Sequence, residues 1–158
     1  MLNNNQPEVL PNGRLLARFE QTPPMSTYLV AFVLTDFQCI TNYTINHIRV
    51  SVCGRQEAMI KGEGDFALYV GTYVLTYFEQ TYNVSYPLSK CDHFAIPDFS
   101  AGAMENWGMI TYRETALLYN TETGNLANKL RVGEVVSHEV AHQWFGNIVT
   151  PKWWNDIW

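Results

Sequence analysis

Two histidines four positions apart, with a glutamate directly after the first, form the pattern in this sequence best suited to chemistry: His138-Glu139-Val140-Ala141-His142. On an α-helix, positions i and i+4 lie one turn apart on the same face. Both imidazoles can then aim a nitrogen at one metal ion, and neutral imidazole is a good zinc ligand. Glu139 stands about 100° around the helix from His138. Its carboxylate can therefore reach a water at the metal and accept a proton from it. The same pattern also arises on helix surfaces and among satisfied core histidines. Here it is flanked by Val135, Val136, Val140, Trp144 and Phe145. Polar groups in such surroundings need a partner, because unpaired burial is costly, and a metal supplies one.

The pattern requires a helix, and the sequence predicts one from about Leu126 to Phe145. Asn125 stands at its N-cap and Gly146 where a C′ glycine belongs. A second helix is expected over Asp65–Tyr82, from apolar residues at helical spacings, although Gly71 interrupts it. Leu15–Gln21, Tyr28–Phe37, Thr44–Val52, His93–Ile96 and Trp107–Arg113 read as strands, with Tyr28–Phe37 buried. Met1–Gly13, Pro97–Asn106 and Asn120–Asn128 read as loops. A domain boundary is placed between Phe37 and Arg55, giving units 1–45 and 46–158.

The chain has 158 residues, 47% hydrophobic and 16% charged, which is globular composition. A net charge of −5 without a Lys/Arg cluster argues against a nucleic-acid partner. The start, Met1-Leu2-Asn3-Asn4-Asn5-Gln6, has neither the basic nor the apolar part of a signal peptide, and no run reaches membrane-span length. Cys39, Cys53 and Cys91 form no zinc-knuckle or redox-pair spacing and read as buried or free thiols. Asn42-Tyr43-Thr44 and Asn83-Val84-Ser85 are glycosylation triplets compatible with a secreted or lumenal chain. A catalytic zinc takes a third protein ligand. Asp156 is a poor candidate, and His93 reads more readily as a surface or strand histidine.

Gly102-Ala103-Met104-Glu105-Asn106, followed downstream by His138-Glu139-Val140-Ala141-His142-Gln143-Trp144-Phe145-Gly146-Asn147, resembles the gluzincin aminopeptidases of the aminopeptidase N type. Thr22–Leu29, Pro97–Phe99, Tyr112–Glu114 and Trp153–Asp156 fit the same family, so the resemblance covers roughly residues 15–158. It implies an α+β chain: the end of an N-terminal β-sheet domain, then the first part of a thermolysin-like α/β catalytic domain. It implies that His138 and His142 bind one zinc ion, that Glu139 is the general base and that Glu105 holds the substrate's free α-amino group. Gly102 and Ala103 would lie along the substrate backbone, and the strand after that loop would align an extended peptide. Ala103, where epoxide-hydrolysing relatives have glycine, fits a dedicated peptidase. The third zinc ligand would be a Glu three positions beyond Trp158.

The expected function is therefore a zinc metalloaminopeptidase that removes N-terminal residues from peptides with a free N-terminus. The expected location is the extracellular face of the plasma membrane, on a membrane-anchored parent, with the cytoplasm as the alternative. A second reading is a truncated, inactive or binding form that lacks the third ligand. A third, an endopeptidase, is opposed by Glu105.

Overall fold

The computed structural model describes residues 7–156 and is a mixed α+β structure. Glu8–Val9 (β1) and Leu15–Leu16 (β2) form a small antiparallel ribbon. The main sheet has five strands: Gln38–Tyr43 (β3), Arg49–Gly54 (β4), Lys90–Ile96 (β5), Ala103–Met104 (β6) and Met109–Arg113 (β7). Their order is β3-β4-β5-β7-β6. The inner pairs β4–β5 and β5–β7 are parallel, while β3 and β6 close the two edges antiparallel. The helices are Gln56–Ile60 (α1), Asp65–Tyr82 (α2), Glu114–Leu117 (α3) and Leu126–His142 (α4). Helix α2 follows β4 and precedes β5, which supplies the crossover that parallel strands need.

Helices α2 and α4 pack against each other, and α2 also packs on β3 and β4. One core joins them, with Val50, Leu75, Ile110, Tyr112, Val132, Val136 and Val140 each fully buried. Gly71 explains how a glycine sits inside α2. A Cβ there would lie 3.1 Å from the Nε2 of His93, so the missing side chain makes room for a buried imidazole. Asn83, in the left-handed conformation (φ 51°), ends α2.

Several readings of the sequence require correction. Tyr28–Phe37 is not a buried strand. Thr27–Leu29 forms a 3-10 turn and the chain then runs irregularly, with Phe32 90% and Leu34 96% exposed. β-Propensity expresses fit to a neighbouring strand, and no strand of either described sheet pairs with this segment. Thr44–Val52 is not one strand but a turn followed by β4. Thr44 N–H donates to Ile48 O and the Thr44 hydroxyl accepts from Ile48 N–H, which reverses the chain. Cys39 and Cys53 are not thiols. The hairpin sets them directly opposite with a Cα–Cα distance of 4.1 Å, and they are disulfide-bonded. Cys91 alone is free and buried, and burial pushes its thiol up to about 12. Last, α4 stops at His142, with Gln143 as its C-cap. Gly146 has φ +124° but lies beyond the C′ position. The boundary drawn at 45/46 lies inside the β3–β4 turn, and the sheet continues across it.

Candidate active site

Helix α4 begins with a reciprocal cap. Asn125 Oδ1 accepts from Asn128 N–H at 2.9 Å, and Asn128 Oδ1 accepts from Asn125 N–H at 3.1 Å. Val132, Val135, Val136 and Val140 bury one stripe of the helix in the core, which fixes its rotation. The other side then presents His138 and His142. Their Nε2 atoms are 3.0 Å apart and their rings stand edge to face. Two nitrogens on one tetrahedral zinc at about 2.0–2.1 Å would be about 3.3 Å apart, so the pair fits two of its ligands. His142 Nδ1 lies 2.9 Å from Phe145 O. A carbonyl only accepts, so Nδ1 carries the proton and Nε2 keeps its lone pair for a metal.

Glu139 is only 5% exposed, and its Oε2 is buried with no hydrogen-bond partner. Burial pushes its pKa up to about 7. The nearby charge of Glu105 pushes the same way, and His142 opposes it. An orphaned, buried carboxylate oxygen beside two imidazoles is what a metal-centred site would use, and a packed core would not leave it there.

Glu105 reaches this neighbourhood through sheet edge β6. Ala103 pairs with Tyr112 and Met104 with Thr111, and Arg113 N–H donates to Gly102 O at 2.9 Å. A Cβ at Gly102 would meet only Arg131 Nη2, at 3.8 Å. The protein itself therefore does not require glycine there, which leaves room for an approaching ligand. The strand after the loop, β7, lies between β5 and β6. On its β6 side it is paired only at Thr111 and Tyr112, and the two-residue β6 is itself an edge of the sheet.

Of the two readings of His93, a strand or a surface histidine, the strand holds and the surface does not. The residue is fully buried on β5, with Nδ1 2.9 Å from the Tyr112 hydroxyl. Asp156 is exposed in the 3-10 turn Trp154–Asp156. Among the described residues, no three or more His, Cys, Asp or Glu side chains cluster as a metal site. An open cavity of about 610 Å³ is lined by Met25, Trp107, Asn147 and Ile148 among others, and by none of His138, Glu139, His142 or Glu105.

Sequence reasoning missed Gln143 and Asn147. Gln143 is fully buried, and its Nε2 donates to the carbonyls of Glu139 (3.2 Å) and Glu105 (3.3 Å). Its Oε1 accepts from Gly108 N–H at 3.2 Å, and Asn147 Nδ2 donates to Glu105 O at 2.9 Å. The spacing of Gln143, one turn after Glu139, was a visible signal of a shared face. Its partner loop was not visible.

Comparison with known proteins bears on the same residues. The model for the peptidase family M1 domain matches residues 66–158. Aminopeptidase N of Mus musculus is 48% identical over 143 residues, covering 90% of this chain and 15% of that protein. Aminopeptidase Ey of Gallus gallus gives the same identity and coverage. Endoplasmic reticulum aminopeptidase 2 of Homo sapiens is 46% identical over 159 aligned positions, 98% of this chain and 16% of that protein. The chain thus spans about 15% of the length of these relatives.

Proposed function

This chain belongs to peptidase family M1, and from that premise we propose that it carries the metal-binding helix and the amine anchor of a zinc aminopeptidase. The observation that supports this most is the juxtaposition at α4. His138 and His142 converge at Nε2, Glu139 is buried beside them with an unpartnered oxygen, and the charge of Glu105 is felt at Glu139.

His138 and His142 would hold zinc through Nε2. When bound, zinc supplies Lewis acidity, polarising a carbonyl and making water acidic enough to attack near neutral pH. Glu139 takes the proton of the attacking water at its carboxylate and returns it to the departing amine. Glu105 pairs with the substrate's α-ammonium, a charge-assisted contact that restricts cleavage to the first peptide bond. Gly102 and Ala103 leave space along the β6 edge for the substrate backbone. The substrates are peptides with a free N-terminus. The location we favour is the extracellular face of the plasma membrane. The Cys39–Cys53 disulfide and the exposed Asn42 and Asn83 support an oxidising compartment over the cytoplasm. Among the described residues no helix is long and apolar enough to cross a membrane.

The test is Glu139→Gln in the protein at its natural length. Turnover of an aminoacyl arylamide should fall by about 10³-fold or more, with zinc content unchanged. Near-normal turnover would overturn the reading. An N-acetylated peptide should resist the wild-type enzyme, and equal cleavage of free and acetylated peptides would favour an endopeptidase.

A further inference from the structure

We propose that Gln143 and Asn147 are positioning residues that fix the Glu105 anchor relative to the metal-binding helix, and so set cleavage at the first peptide bond. This rests on the aminopeptidase reading above, in which Glu105 holds the amine and His142 a metal.

The backbone of the anchor is held from the helix side by side-chain amides. The Glu105 carbonyl accepts two N–H groups, from Gln143 Nε2 at 3.3 Å and Asn147 Nδ2 at 2.9 Å. Both donors are tied to His142. Gln143 is its neighbour in sequence, and Asn147 N–H donates to the His142 carbonyl at 3.1 Å. Gln143 also grips the loop a second time through Gly108 N–H and grips α4 through the Glu139 carbonyl. Gly108 holds a left-handed turn (φ +75°) that is strained for a residue with a side chain, and a Cβ there would meet Leu88 Cδ1 at 2.6 Å and Lys90 O at 3.3 Å, so glycine suits this path of the loop. Gln143 and Asn147 are 0% and 4% exposed, so both amides are largely shielded from water.

An aminopeptidase cuts one residue from the amine it holds. The separation between the carboxylate that grips the ammonium and the metal that activates the bond decides which bond is cut. A displacement of about 1 Å in such a geometry costs about a hundredfold in rate. Strand β6 alone fixes the loop only to β7. The Gln143 and Asn147 amides connect it to the other half of the site.

The experiment is a double-mutant cycle in the protein at its natural length, with Gln143→Met and Asn147→Ser each made alone and with Glu105→Ala. The readouts are zinc content, thermal midpoint, and kcat and KM on an aminoacyl arylamide with a free amine. In the wild-type background each substitution should lower kcat/KM about tenfold or more, mainly through KM, with zinc retained. In the Glu105→Ala background the same substitution should change kcat/KM less than about twofold, because no anchor remains to be placed. Any loss of thermal stability should persist in both backgrounds. Equal losses of kcat/KM in the two backgrounds would show ordinary structural support and overturn the proposal. Wild-type kinetics in folded, zinc-loaded Gln143→Met and Asn147→Ser proteins would overturn it as well, leaving the aminopeptidase reading intact. Wild-type activity of Glu105→Ala alone would remove the anchor reading and this inference together. If Gln143→Met fails to fold, the Asn147→Ser arm decides by the same cycle.

Discussion

At the residue scale, a buried histidine away from the site, His93, has the clearest pH signature. His93 is fully buried between α2 and the sheet, with Tyr112 on Nδ1 and the Cys91 sulfur 3.8 Å from Nε2. Burial lowers its pKa from 6.5 to about 4, against the pull of Asp92. An unfolded chain therefore protonates His93 near pH 6.5, while the folded protein resists until about pH 4. Its contribution to stability is complete above the unfolded value and is lost as pH falls through this window. The difference corresponds to roughly 3 kcal/mol. In urea unfolding between pH 7 and 4, His93→Phe should reduce the fall in stability by about that amount while lowering stability at pH 7. An unchanged pH slope would reject this account. The contrast with His138 and His142 is one of surroundings. The same side chain is a neutral core group under α2 and a pair of converging donors on the open side of α4.

At the element scale, what was legible in the sequence was local. Helix α2 matches its expected span, and α4 matches its expected start, because helical periodicity and caps are written within a few residues. Strands β5 and β7 were found for similar reasons. Tyr28–Phe37 misled because its apolar run gave no information about a partner strand, and β3 was missed because its only partner is β4 across a turn. The candidate site divides in the same way. His138, Glu139 and His142 are legible from one helical turn, and Glu105 from a motif. The amides of Gln143 and Asn147 were invisible because nothing local says that residues 105–108 return to α4. The cap of α4 gives a test at this scale. Asn125→Ala removes the acceptor of the Asn128 N–H and keeps the reciprocal bond, which the backbone N–H of residue 125 donates to Asn128 Oδ1, so it should cost about 1 kcal/mol in chemical denaturation. Zinc content should not change, because His138 and His142 occupy the opposite end of the helix. A loss of zinc at unchanged stability would show that the first turn of α4 has a role in the site that its hydrogen bonds do not reveal.

At the scale of the whole molecule, the sheet is held differently at its two edges. Edge β6 is short and tied to the helical layer through the residue after it, Glu105. Edge β3 lies far from α4 in the strand order, is mostly exposed, and is fastened to β4 by the Cys39–Cys53 bond. The bond closes a segment of 14 residues in sequence separation, for which the chain-entropy model gives about 3 kcal/mol. Because the cysteines face each other across paired strands, the bond reinforces a register that the ladder already sets, and it leaves Cys91 as a free thiol in the core. Cys39→Ser with Cys53→Ser should therefore lower stability by about 2–4 kcal/mol. The geometry at α4 should survive, with zinc content and KM on a free-amine substrate close to wild type once the variant is folded. Peptide mapping without reductant should recover a cross-link between the peptides holding Cys39 and Cys53, and labelling after unfolding should find, of these three cysteines, Cys91 alone as a thiol. Free thiols at Cys39 and Cys53 in protein taken from its native compartment would break this account of the β3 edge, and would also remove the main support for an oxidising location.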